Sequence, residues 1–96
     1  MGKYWRILMT KTETAIRTEL ENRPEWKKDR FGHYTNTSLA RNGDCVYRFK
    51  MQKTSVRFEV KDLNVKDLGW IKLASSYYKD VFMTSSGKIK IGRLAI

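Results

Sequence analysis

Apolar and polar positions alternate most clearly in the middle of the chain. Cys45, Tyr47, Phe49 and Met51 alternate with Val46, Arg48 and Lys50, and Val56, Phe58 and Val60 alternate with Arg57, Glu59 and Lys61. Successive side chains of a strand point to opposite faces, so this period of two predicts strands over 44–52 and 55–62. Joined around Lys53-Thr54, the two make a β-hairpin. Upstream, Tyr4 to Met9 (YWRILM) is a short apolar run that reads as a strand. Thr10 and Glu13 have the spacing of a capping box, which predicts a helix to about Asn22 with Ile16 and Leu20 on its core face and Pro24 as its stop. Thr12, Thr14, Ile16, Thr18 and Leu20 also alternate as a strand would, so both readings of 11–22 stand.

Residues 25–43 show no clear period, which predicts a long functional or partly ordered loop with a short turn of helix or a short strand inside it. After the hairpin the period changes. Val65, Leu68, Ile71, Ala74, Tyr78 and Phe82 fall three to four apart, with Asn64 as N-cap and Asp67 in the first turn, predicting a second helix over 64–81 that Gly69 weakens. Ile89 and Ile91 then alternate with Lys88 and Lys90 in a last strand, with Phe82 to Thr84 a candidate partner across Ser85-Ser86-Gly87. The predicted order is β-α-(loop)-β-β-α-β in a single domain. That is an α+β fold with an antiparallel sheet of about four strands and one or two helices on one face, compatible with a ferredoxin-like arrangement.

Composition adds one strong signal. Twenty Lys and Arg against ten Asp and Glu give +10, with a pI near 10, on 96 residues. Such basicity is the electrostatic footprint of a nucleic-acid-binding protein, although an acidic protein surface would also be attracted. The charge is uneven. Residues 11–31 carry six cations against five acids, and residues 41–96 carry twelve against five. The single Cys45 excludes an internal disulfide framework, and no apolar run approaches the ~18 residues of a membrane span, so the expected location is the cytoplasm, with no membrane partner.

Two groups of residues fit a polyanion. If Tyr47, Phe49, Val56, Phe58 and Val60 face the core, then Arg48, Lys50, Arg57 and Lys61 share the opposite face, joined by Lys88 and Lys90 if the last strand is oriented to match. The plainer reading is a charged solvent face that blocks edge-to-edge aggregation. In the loop, Trp26, Lys27, Lys28, Arg30, Phe31 and Tyr34, followed by Arg41, interleave rings that could stack on bases with cations that could neutralise phosphates. The same mixture suits a protein interface, and at least one of the three rings is expected to fold back onto the core.

Catalytic signatures are thin. One Cys and one His, His33, exclude a zinc site of the usual type, and no phosphate-cradling glycine motif is present, so no cofactor is expected. Asp44 followed by Glu59-Val60-Lys61 on a hairpin loosely resembles the PD-(D/E)XK nuclease core over about 18 residues. That resemblance implies two carboxylates holding a divalent metal beside Lys61, but no Pro precedes Asp44. Three functions follow in order of preference. The first is a non-enzymatic DNA- or RNA-binding protein. The second is a small accessory protein of the bacterial or phage kind that binds and inhibits or regulates a larger protein. The third is a metal-dependent nuclease using Asp44, Glu59 and Lys61.

Overall fold

The computed structural model describes residues 12–39 and 43–96. The expected strand at Tyr4–Met9, and with it Thr10 and Arg41, lies outside them. The first element is a helix, α1 (Glu13–Glu21). Its N-cap is Thr12, whose hydroxyl accepts from the Ala15 N–H at 3.1 Å, two residues beyond the cap predicted from Thr10. Arg17 pairs with Glu13 at 2.8 Å and Arg23 with Glu19 at 3.1 Å, each four residues apart and half-buried. Ala15, Ile16 and Leu20 are buried.

Five strands then run as an antiparallel meander: β1 (Lys27–Lys28), β2 (Tyr34–Asn36), β3 (Cys45–Met51), β4 (Ser55–Asp62) and β5 (Ile71–Tyr77), neighbours in that order. A single 3₁₀ turn at Tyr78–Asp80 leads to a second, three-stranded antiparallel sheet of β6 (Phe82–Met83), β7 (Ile89–Ile91) and β8 (Leu94–Ala95). The β3–β4 hairpin and the pairing of Phe82-Met83 with Ile89-Lys90 match the sequence expectation.

The stretch 25–43 holds two short strands, β1 and β2, where a short helical turn or a short strand is expected. Two expectations are corrected. The helix expected over 64–81 is replaced by a loop over 63–70, strand β5 and the 3₁₀ turn. Asp67 (φ 66°) and Gly69 (φ 72°) both take left-handed backbone angles in that loop, which a continuous right-handed helix excludes. Consequently the main sheet has five strands where about four were expected, and the ferredoxin-like order is not the order seen.

Register separates the two faces of the main sheet. Tyr47 opposes Val60, Phe49 opposes Phe58 and Met51 opposes Val56, and Tyr34 of β2 opposes Phe49. Directly opposed residues share a face, so these point together into the core. The core joins them to Ile16 and Leu20 of α1, to Trp26 and to Tyr78, Val81, Ile89 and Ile91. The helix and the small sheet therefore cover the same side of the meander. Arg23 fastens them to each other, donating to the Ile96 carbonyl at 2.9 Å and the Gly87 carbonyl at 2.7 Å. Among the described residues, no helix or second sheet packs on the opposite side of the main sheet, its open face.

Candidate functional site

The open face is built by the alternate residues of the same strands. One row crosses the whole sheet: Lys27, Thr35, Arg48, Glu59 and Lys72 are each opposed to the next. A second row carries Lys50, Arg57 and Ser75, and Lys61 stands beside Val46 toward the other end. Adjacent strands lie about 4.8 Å apart, so the six cations share one face, with Thr35 between Lys27 and Arg48 and Glu59 between Arg48 and Lys72. The carboxylate in these rows, Glu59, is only 3 % exposed. Both Arg48 Nε (2.9 Å) and Nη2 (2.6 Å) donate to Glu59 Oε1, while Arg57 Nε stands 3.6 Å from Oε2. The Trp70 ring covers the Arg48 guanidinium, with 4.0 Å between ring centre and guanidinium carbon. Arg57 Nε is shielded from solvent and makes no hydrogen bond.

The sequence-derived candidates divide by position. Arg48, Lys50, Arg57 and Lys61 share the open face, joined by Lys27 from the loop group. Lys88 and Lys90 do not join them. They lie with the small sheet, where Ile89 and Ile91 enter the core and Lys90 donates to the Arg93 carbonyl at 3.1 Å. Trp26 and Tyr34 are buried. Trp26 packs 4.6 Å from Phe49, and the Tyr34 hydroxyl donates to Glu21 at 2.6 Å. Burial, followed by that Glu21 contact, pushes the Tyr34 phenol above its ordinary pKa. Lys28 lies on the Tyr34 side of the hairpin, 3.8 Å from Glu21.

Arg30 and Phe31 occupy the tip of the β1–β2 hairpin. Asp29 organises the tip by accepting from the Phe31 and His33 N–H groups, both at 2.9 Å. Gly32 takes φ 82°, and its carbonyl accepts from Arg17 at 2.6 Å. The result is a fixed turn that leaves Phe31 70 % exposed, with the Arg30 guanidinium 4.9 Å from its ring centre.

Lys72, Trp70, Ser75 and Tyr77 belong to the face or its margin and were missed as a group, because the sequence pattern assigned them to a helix. The sequence signal for them is that Trp70 and Tyr77 fall outside the inward stripe of Val65, Leu68, Ile71, Ala74, Tyr78 and Phe82. Asp44, Glu59 and Lys61 are not assembled into a metal site. Glu59 is held by arginine, and Asp44 lies just before β3, four residues from Arg48 at the Glu59 level, about 13 Å away. No protein-family model, no curated protein and no solved structure matches the chain.

Proposed function

We propose that this domain binds nucleic acid, without catalysis, through the open face of its five-stranded sheet. The observation that carries the reading is the composition of that face: six cations from four strands against one carboxylate, itself buried between two of the arginines. A face serving solubility alone needs mixed signs, and the one acid in the rows of this face is Glu59, whose charge is already engaged by arginine. Arg48 and Arg57 are held by Glu59, so they lose little freedom when a phosphate arrives, while Lys50, Lys61 and Lys72 supply mobile charge. Trp70 and Tyr77 at the margin supply rings on which bases could stack.

A second reading, binding to an acidic protein surface, is favoured by Phe31. A large ring held outward on an ordered turn beside Arg30 has the chemistry of an interface anchor. Fluorescence anisotropy with labelled single-stranded and duplex DNA and RNA separates the two readings. Nucleic-acid binding is expected at low salt and should weaken linearly in log–log form as salt rises. Absence of binding to all four probes at low salt overturns the proposal.

A further inference from the structure

Next to Arg57 the open face ends in a hollow of about 380 Å³, lined by Ser55, Ser75, Ser76, Tyr77 and Asp80. Ser75 opposes Arg57, and Ser55 opposes Tyr77, so the hollow continues the row of Lys50 and Arg57 over β5 and off its edge. Its walls differ from the rest of the face. They carry three hydroxyls, a tyrosine ring that is 59 % exposed, and a carboxylate from the 3₁₀ turn. No hydrogen bond or ion pair engages the Asp80 carboxylate among the described residues.

Resting on the nucleic-acid reading above, we infer that this hollow is a base-specificity pocket that takes an unpaired guanine, with Tyr77 as stacking platform and Asp80 as reader. A carboxylate at the margin of a cationic face repels phosphate, so the group that enters is not the backbone. The carboxylate only accepts hydrogen bonds, so its partner must present N–H groups. On the Watson–Crick edge guanine presents two adjacent donors, N1–H and the N2 amine, which match the two carboxylate oxygens. Cytosine and adenine offer one amine each, beside an acceptor nitrogen. Thymine and uracil offer one N–H between two carbonyl oxygens that Asp80 would repel. Bases unstacked from a single strand expose this edge, and a ring beside it supplies the stacking contact. The phosphate of the same nucleotide would then lie toward Arg57 and Lys50, which oppose each other in the row that the hollow continues.

The test uses the whole chain and labelled thymidine dodecamers that differ at one central position: thymidine, guanosine, inosine or adenosine. One guanine is expected to tighten binding about tenfold over the all-thymidine strand, the scale of one bidentate base contact. Inosine keeps N1–H but lacks the N2 amine, and should lose most of that gain. Asp80→Asn and Tyr77→Ala, each checked for folding by circular dichroism, should bring the guanine-to-thymidine affinity ratio close to one. If the wild-type protein binds all four strands equally, the pocket is overturned and the cationic-face reading stands. If neither thymidine nor guanine strands bind at low salt, both fail. A guanine preference that survives in Asp80→Asn, or that inosine reproduces in full, overturns the assignment of Asp80. The inosine comparison needs no variant and decides the matter even if a substituted chain misfolds.

Discussion

Arg48 donates twice to one oxygen of Glu59, from Nε at 2.9 Å and from Nη2 at 2.6 Å, across the β3–β4 ladder. Because one oxygen takes both bonds, the other is left facing Arg57 at 3.6 Å. Removing the carboxylate leaves two guanidiniums side by side on the sheet, one of them under Trp70. Breaking a buried pair by deleting one partner costs about 3–5 kcal/mol. Glu59→Ala is expected to lower the unfolding free energy by that order, and Glu59→Gln by less, since an acceptor oxygen remains. Urea denaturation of the two variants checks this, and an unchanged midpoint in Glu59→Ala would show that the pair holds nothing in place.

His33 ties the β1–β2 hairpin to the end of β3. Its Nδ1 accepts from the Met51 N–H at 3.0 Å, which requires that nitrogen to be unprotonated. Burial lowers the imidazole pKa below its ordinary value, helped by Arg48, Lys50 and Arg17 and opposed by Asp29. The unfolded chain therefore takes up a proton near pH 6.5 while the folded chain still resists it. The contribution of His33 to stability should be complete above about pH 6.5 and decline as pH falls toward the depressed folded value. His33→Asn, whose side-chain oxygen can accept the same bond, should lose this component. Urea midpoints of both chains between pH 8 and pH 5 should diverge on the acid side only.

The helix at Glu13–Glu21 was one of two readings open in the sequence, and the β3–β4 hairpin was legible there outright, because each depends on neighbours in the chain. A Thr cap, a Pro stop and a four-residue spacing of Ile16 and Leu20 make the one. Two alternating runs around a short turn make the other. Strand β5 was misread for a specific physical reason. The ladder shifts by one residue between Phe58 and Glu59, so that Ala74 opposes Phe58 while Lys72 opposes Glu59, and Leu73 has no opposite number. A bulge of this kind puts two same-face residues three apart. Ile71 and Ala74 thus reach one side of the sheet with helical spacing, and Tyr78, four further on, extends the imitation into the 3₁₀ turn. The four cations of the hairpin face could be read from alternation. Lys27, Lys72 and the hollow at Tyr77 depended on pairings set by tertiary structure.

Trp26 and Phe31 sit five residues apart and should respond oppositely to truncation. Trp26 packs on Phe49 at 4.6 Å and Phe58 at 6.3 Å, deep in the core. Trp26→Ala is expected to cost about 3–5 kcal/mol, a large fraction of the stability of a domain of this size. Phe31→Ala removes a ring mostly in solvent and should change stability by less than about 0.5 kcal/mol. Thermal melts followed by circular dichroism distinguish these. If Phe31→Ala melts as early as Trp26→Ala, the hairpin tip is a structural lid and not a free anchor.

The cations of the main sheet and those of the small sheet should differ in the salt dependence they confer. For single-stranded nucleic acid each neutralised phosphate contributes about −0.7 to the slope of log affinity against log salt. Lys50 and Lys61 lie on the open face without touching Glu59, so their loss removes charge and leaves the Arg48–Glu59 contact standing. Lys50→Ala/Lys61→Ala should weaken binding and make the slope shallower by about 1.4, the loss of two phosphate contacts. Lys88→Ala/Lys90→Ala removes the same formal charge from β7 and the turn before it, outside the row that crosses the main sheet. Its slope should stay close to that of the unsubstituted chain. Net charge is identical in the two double variants, so the comparison isolates position. Equal losses would mean that the protein attracts its partner as a diffuse positive body, and the open face would then have no special claim as the site.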